Sequence, residues 1–336
     1  PLRKTREPDL SFIVSAVESI AQHLKDEQLI VLESTTYPGT TEELVLPILE
    51  KTGRKVGKDF YLAFSPERID PGNQQFGLRN TPKVIGGVTP QCLELASLLY
   101  GSITNEVVPV SSPKAAEMVK LLENTFRAVN IALVNEICLM AKRLDLNVWE
   151  VIAAAGTKPF GFMKFQPGPG LGGHCIPIDP QYLSWKLKTL NYHTRFIQLA
   201  EEINSSMPHV VVERVVEALN SQRKSIKGSK ILLVGVSYKR DTSDTRESPA
   251  LEVWSLLENK GALLSYLDPF VPEIMLEERL YKSVEKNTAL SSYDCVVILT
   301  DHTDLNYRDV ADKARLVVDT RNVTSHIKKA EKIFKL

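Results

Sequence analysis

The sequence predicts an α/β protein: two doubly wound sheet regions joined by a helical middle segment. Three observations carry that expectation. Short apolar runs alternate with helical stretches up to residue 110. Lys114 to Leu144 then runs without a Gly or Pro, with Leu121, Phe126, Val129, Leu133, Ile137 and Met140 at helical spacing. Beyond it, Lys230 to Val236 (KILLVGV) opens a second series of buried strands.

In the first region a helix is expected over Leu10 to Leu24. Strands are expected at Leu29 to Leu32, Tyr61 to Phe64, Lys83 to Gly86 and Val107 to Val110, with helices at Thr40 to Lys51 and Gln91 to Tyr100. No G-x-G-x-x-G lies between a strand and a helix here, so the usual first unit of a dinucleotide domain is not visible. The opening Pro1 to Asp9 reads as a loop from inside a domain, and further sequence is expected to precede it.

The middle segment begins at Ser112-Pro113, a helix start with Pro at the first helical position. After the long helix, a second is expected over Val148 to Ala155. A Gly/Pro-rich loop follows from Gly156 to Pro180, then helices over Pro180 to Leu190 and Phe196 to Asn220, the last interrupted near Pro208. Polar Ser225 to Ser229 punctuates the chain. The last region reads as strand Lys230 to Val236, helix Pro249 to Lys260, strand Leu263 to Leu267 ending at Asp268, and strands Cys295 to Leu299 and Leu316 to Val318. The expected domains are therefore 1–110, 111–224 and 225–336.

Charge and cysteine usage narrow the function. The 336 residues carry 41 Lys plus Arg against 41 Asp plus Glu, so no global field draws nucleic acid or a membrane surface. No apolar run reaches the length of a membrane span. The four cysteines form no C-x-x-C pair, which argues against a disulfide framework and a structural zinc site. A cytoplasmic location is expected, with no metal.

Cys92, Cys138 and Cys295 fall on expected helices or a strand and read as core residues. Cys175 does not. It lies in Gly168-Pro-Gly-Leu-Gly-Gly-His-Cys-Ile-Pro-Ile-Asp179-Pro, where glycines let backbone N–H groups approach a ligand. A thiol placed near a helix start and such donors is expected to be nucleophilic. Asp179 and Pro180 are expected as the N-cap and first position of the next helix. The glycines of 168–173 do not follow a strand, so a dinucleotide turn is rejected.

That loop resembles the Gly-Gly-x-Cys-x-x-x-Asp signature of the UDP-glucose/UDP-N-acetylhexosamine 6-dehydrogenase family. Four further stretches extend the resemblance over essentially the whole chain: Glu33-Ser-Thr-Thr-Tyr-Pro-Gly-Thr40, Ser65-Pro-Glu-Arg68, Glu117-Met-Val-Lys-Leu-Leu-Glu-Asn-Thr125 and Tyr238-Lys-Arg-Asp-Thr-Ser-Asp-Thr-Arg-Glu-Ser-Pro249. It implies an incomplete N-terminal Rossmann-like NAD domain, a helical dimerisation domain bearing the cysteine, and a second Rossmann-like domain for UDP. The implied chemistry is oxidation of a UDP-sugar C6 hydroxymethyl to a carboxylate with two NAD, through a thioester on Cys175.

Carried over by position, Lys120 is the oxyanion stabiliser or base, and Asn124 lies on the same helix face. Asp179 helps water attack the thioester. Thr35 holds the catalytic water and lines the nicotinamide site. Glu67 lies near the sugar and the hydrolytic water, and Arg68 and Gly172 are further substrate contacts. A second family glutamate is replaced by Pro71. Lys239 and Arg321 contact the UDP-sugar and Arg246 contacts NAD. Read alone, Lys120 with Asn124 is a solvated helix face, Thr35 a turn residue, and the 239–246 loop ordinary surface charge. Asp268 is either a ribose-binding acid or a turn residue.

His174 and Ile176-Pro-Ile178 resemble the branch acting on UDP-N-acetylglucosamine or its galacto epimer more than the one acting on UDP-glucose. A homodimer or higher homo-oligomer is implied. The alternatives are another UDP-hexose as substrate, or a non-catalytic UDP-sugar-binding or dimerisation fragment.

Overall fold

The computed structural model describes residues 7–70, 73, 75–327 and 330–336. Pro71 and residues 1–6 lie outside that set, so the Pro71 substitution and most of the opening run have no structural counterpart here. The chain forms two compact units, Pro1–Arg127 with Ile178–Ile197, and Ala128–Pro177 with Gln198–Leu336.

In the first unit, α1 (Ser11–His23) leads to β1 (Gln28–Leu32), a π-helical turn (Thr41–Val45) running into α2 (Leu46–Glu50), β2 (Phe60–Phe64), β3 (Lys83–Gly87), α3 (Pro90–Gly101) and β4 (Val107–Val110). The sheet order is β1-β2-β3-β4. β1 pairs with β2 and β3 with β4 in parallel, but β2 and β3 are antiparallel. The alternation of strand residues places Leu29 and Val31 with Ala96 of α3, and Ile30 with Val17 of α1, Val45 of the π-helical turn and Leu49 of α2. Helices thus cover both faces, which a mainly parallel sheet requires.

Ser112 starts α4 (Pro113–Arg143) as expected, its hydroxyl accepting from the Ala115 N–H at 3.2 Å. The boundary between the units falls inside this helix. α5 (Val148–Ala155) follows, capped by Asn147, whose side chain accepts from the Trp149 N–H. α6 (Asp179–Lys188) belongs to the first unit, where Tyr182 and Leu183 pack with Leu121 and Tyr37.

The long helix α7 (Arg195–Ser221) does not break at Pro208. Proline lacks an N–H, so the Asn204 carbonyl loses its helical partner. The Gly/Pro loop of the second unit lies against this notch: a Cβ on Gly170 would be 3.3 Å from that carbonyl and 3.6 Å from Pro208 Cδ.

The second unit's sheet contains β5 (Lys230–Val234), β6 (Leu263–Leu267), β9 (Cys295–Ile298), β10 (Val317–Asp319) and β11 (Ile333–Lys335), in the order β11-β10-β9-β5-β6 and wholly parallel. Between β5 and β6 runs α8 (Pro249–Asn259). A hairpin of β7 (Glu273–Leu276) and β8 (Arg279–Lys282) and the short α9 (Tyr307–Lys313) complete it. The sequence reading missed the hairpin, α9 and β11. One face of the sheet (Ile231, Leu233, Val297) packs with α8 residues Val253, Trp254 and Leu257 and with α5 and α7. The other (Leu232, Val234, Ile298) packs with Val310 of α9. Strand order reverses beside β5, and an open sheet of this kind binds ligands outside the carboxyl ends of its strands there.

Candidate active site

The site residues named from the sequence divide between the two units. In the first, helical spacing puts Lys120 and Asn124 one turn apart on α4. The Lys120 Nζ donates to the Glu67 carbonyl at 2.6 Å, tying α4 to the loop after β2. The Asn124 side chain is 7% exposed and donates to Asp179 Oδ2 at 2.5 Å. The solvated-face reading therefore fails for Asn124.

Asp179 is 3% exposed and is the first residue of α6 rather than its N-cap; Ile178 holds the cap position, without a side-chain cap. The Asp179 carboxylate faces Asn124, and no side chain caps the helix start. Burial pushes this carboxyl up to about 6, against the Asn124 hydrogen bond and the Lys120 charge.

Glu67 is half-exposed. Its Oε1 accepts the Ile69 N–H at 2.6 Å and its Oε2 lies 3.4 Å from Lys83 Nζ. Desolvation raises it, but these bonds and the Lys83 charge outweigh that and hold it below the usual range. Lys83 is buried and also meets Glu33 at 2.8 Å, and Tyr100 donates to Glu33 at 2.7 Å. Arg68 pairs with Glu123 of α4 at 2.7 Å and donates to the Pro82 carbonyl. The sequence reading gave Lys83, Glu33 and Glu123 no role; a lysine at the start of a fully buried strand was the available signal.

Thr35 is half-buried just past the carboxyl end of β1. The turn it opens is fixed from α4: buried Glu117 accepts the Gly39 N–H at 2.5 Å, and the Thr41 N–H and hydroxyl at 2.9 and 2.7 Å. A carboxylate at those amides satisfies donors that a helix start leaves open. Glu117 stood in a recognised motif without an assigned function.

In the second unit, the Cys175 loop is anchored by buried asparagines. Asn135 of α4 accepts the Gly168 N–H at 3.0 Å and donates to Asn204 of α7 at 2.9 Å; Asn204 donates to the Ala128 carbonyl at 3.1 Å. Nearer the cysteine, the glycines are required by close approach. A Cβ on Gly172 would lie 2.8 Å from Tyr238 Cβ, and one on Gly173, at φ +92°, 2.8 Å from the Tyr238 ring. The Gly173 N–H donates to the Arg246 carbonyl at 3.2 Å.

Cys175 itself is half-buried, and the other three cysteines are buried. Arg246, 63% exposed at its side chain, donates to Asp244 at 2.6 Å and meets His174 Nδ1 at 3.0 Å. The Arg246 bonds hold Asp244 below the usual carboxylate range. The structure thus brings Gly172, Cys175 and Arg246 into one neighbourhood. Lys239 is half-buried on the same loop after β5.

Arg321 lies past β10, its Nε donating to the Leu299 carbonyl at 2.8 Å. Its guanidinium would be 2.9 Å from a Cβ on Gly168. Burial, with the Arg240 charge, pulls Arg321 down to about 10, so at neutral pH it is a charged, poorly solvated cation. Such a group gains from an anion. Asp268 resolves as a turn residue: Oδ2 accepts the Val236 and Ser237 N–H groups, and Oδ1 those of Phe270 and Val271. Among the described residues no cluster of three His, Cys, Asp or Glu side chains could hold a metal, and no helix is long and apolar enough to cross a membrane.

Comparison with known proteins agrees along the chain. Models of three parts of the UDP-glucose/GDP-mannose dehydrogenase family match: its NAD binding domain at residues 1–104, its central domain at 114–206 and its UDP binding domain at 232–326. A UDP-N-acetyl-D-glucosamine 6-dehydrogenase of Pseudomonas aeruginosa is 35% identical over 306 residues, covering 90% of this chain and 72% of that protein. A UDP-N-acetyl-D-mannosamine dehydrogenase of Methanocaldococcus jannaschii is 36% identical, covering 94% and 71%. Among solved structures, a UDP-D-ManNAc dehydrogenase from Pyrococcus horikoshii aligns with a TM-score of 0.89 at 34% identity, covering all of this chain and 78% of that one.

Proposed function

This chain belongs to the UDP-glucose/GDP-mannose dehydrogenase family of NAD-dependent oxidoreductases, and from that premise we propose that it oxidises C6 of a UDP-N-acetylhexosamine to the carboxylate through a thioester on Cys175. The observation that carries the reading is the Cys175 loop. A half-buried thiol follows two glycines packed on Tyr238, beside the Arg246 guanidinium.

NAD supplies a hydride acceptor at each of two oxidations. Thr35, in a hydroxyl-bearing turn at the carboxyl end of a parallel strand, fits its approach, since that is where such sheets receive dinucleotides. Arg246 is the second residue assigned to it. In the first oxidation the C6 alcohol gives up its hydroxyl proton and a hydride from its C–H bond, which NAD would accept, and becomes an aldehyde. The Cys175 sulfur then adds to the aldehyde carbon, keeping a reactive species covalently held. The second oxidation leaves a thioester, and water releases the carboxylate and restores the thiol.

Lys120 stabilises the charge on the C6 oxygen as the alcohol ionises. Asp179, poised near 6 by burial and aimed by Asn124, orients or deprotonates the attacking water. Glu67, kept ionised by the Ile69 N–H and the Lys83 charge, accepts from sugar hydroxyls or that water. Arg68 and Gly172 contact the sugar, while Lys239 and Arg321 hold the UDP, the desolvated Arg321 on a phosphate. The proposed domains are 1–110 for NAD, 111–224 as the central domain and 225–336 for UDP. Met118, Leu122, Phe126, Leu133 and Met140 are exposed apolar residues of α4; they support a homodimer formed through that helix.

UDP-N-acetylglucosamine is the favoured substrate on the Cys175 loop sequence. UDP-N-acetylmannosamine is the second reading, favoured by the relatives named for it. The test is NADH release with each of these, with UDP-N-acetylgalactosamine and with UDP-glucose. Two NADH per sugar are expected from the best substrate, and none above background from Cys175→Ala. A folded protein that makes no NADH from any of the four contradicts the proposal.

A further inference from the structure

Past the carboxyl end of β9 sits His302, fully buried and absent from the chemistry above. Its two ring nitrogens face different partners. Nδ1 lies 3.1 Å from the Asp241 backbone nitrogen, and Nε2 lies 3.2 Å from Asp268 Oδ2 and 3.3 Å from Ser237 Oγ. A backbone N–H can only donate, so Nδ1 accepts and the ring proton is on Nε2. The Ser237 hydroxyl gives its own proton to the Lys239 carbonyl at 3.0 Å, leaving a lone pair toward the ring. The Asp241 N–H and the Asp268 and Ser237 oxygens thus agree on one tautomer, donating toward Asp268 and accepting from the Asp241 N–H, while the Asp241 Oδ1 lies farther off, 3.7 Å from Nδ1. Phe270 fixes the ring plane, with centroids 5.0 Å apart.

What this ring fastens is the loop between β5 and α8. Asp268 holds its start through the Val236 and Ser237 N–H groups. Asp241, in its middle, has φ 56°, a left-handed conformation that needs surrounding bonds to persist. Its carboxylate takes the Thr303 N–H and hydroxyl, both at 2.8 Å, and its own N–H goes to His302. The far side of the same loop presents Tyr238 to Gly172 and Gly173, and the Arg246 carbonyl to the Gly173 N–H. The residues just before Cys175 therefore rest on a loop that His302 holds at Asp241, while Asp244 and Arg246 of the same loop meet His174.

We propose that His302 is a positioning residue for the oxidation: through its Nδ1 bond to Asp241 it sets the 237–248 loop, and through that loop the backbone before Cys175. The proposal rests on the reading of Cys175 as nucleophile for its functional half, but its structural half stands alone. It assigns the weight to one nitrogen, which separates it from a general packing role.

Two substitutions divide the ring's bonds. In His302→Asn the amide oxygen sits near the Nδ1 position and can still accept from Asp241. In His302→Gln the amide reaches the Nε2 position and can still donate to Asp268. Each loses one bond and some packing, so a merely structural role affects both alike. Hydrogen exchange of the full chain is the readout, followed by KM and kcat for the UDP-sugar. In His302→Gln, amides of 239–247 and 172–175 are expected to exchange about tenfold faster, the scale of one lost buried hydrogen bond, while β5 and β9 stay protected. His302→Asn is expected to stay within about twofold of the parent. KM for the UDP-sugar rises and kcat falls in the Gln variant relative to the Asn variant. Equal loosening in both, no loosening in either, or loosening without a kinetic difference between them overturns the proposal. Failure of the dehydrogenase reading is distinguishable, because the unsubstituted chain would then make no NADH while the exchange contrast is still read.

Discussion

Burial makes Asp179 the most sensitive ionisable group of the proposed chemistry. Its carboxyl is raised to about 6 in the folded chain, from an ordinary value of 3.8. The sign follows from linkage. An acid raised on folding is favoured in its neutral form, so its contribution is greatest below its unfolded value and is lost as pH rises through about 6. At pH 7.5 the ionised form costs about 2–3 kcal/mol by this shift. Asp179→Asn keeps an oxygen for Asn124 and removes the charge. Its stability in urea is therefore expected to exceed the parent's by about that amount at pH 7.5 and to match it below pH 4. A variant no more stable at pH 7.5 would contradict the burial account. The choice of Asp179 was legible in the sequence only as a position in a motif. Its partner was not, because Asn124 lies 55 residues away and nothing local distinguishes a buried amide from a solvated one.

On the scale of single elements, α4 does more than its apolar spacing announced. That spacing correctly predicted a long helix, and Ser112-Pro113 correctly predicted its start. The spacing could not show that Glu117 fastens the turn after β1, or that Asn135 fastens the Gly168 loop. Both are long-range polar bonds inside a pattern that reads as polar residues between apolar ones. Glu117→Gln replaces one of two charged acceptors with a donor and leaves an amide of the Gly39–Thr41 turn unpaired. A loss of about 1–3 kcal/mol in urea unfolding at pH 7.5 is expected, with a raised KM for NAD because the turn carries Thr35. Unchanged stability would show that the turn is held by other contacts. The continuous α7 was illegible for a related reason. A proline alone reads as an interruption, but the helix runs on through Pro208 with the Gly170 backbone packed close against it.

Across the whole molecule, the order of elements and the second sheet's parallel core were readable because strands such as KILLV are buried on both faces and so uniformly apolar. The antiparallel β2–β3 pairing was not, since apolarity does not encode strand direction. The short β7–β8 hairpin and β11 were missed because their residues are mostly exposed or half-buried. The exposed apolar residues of α4 lead to an expected outcome at this scale: Leu122→Glu with Leu133→Glu shifts sedimentation velocity from dimer toward monomer. A parent chain that already sediments as a monomer would remove the dimer proposal.

Intact-protein and peptide mass spectrometry of Asp179→Asn, incubated with the best UDP-N-acetylhexosamine and NAD, tests for the covalent thioester on Cys175. A stable adduct of the uronyl-nucleotide mass is expected on the peptide containing Cys175, absent when Cys175 is also replaced by Ala. Uronate formed by the Cys175→Ala chain, or an adduct on any other residue, would contradict it.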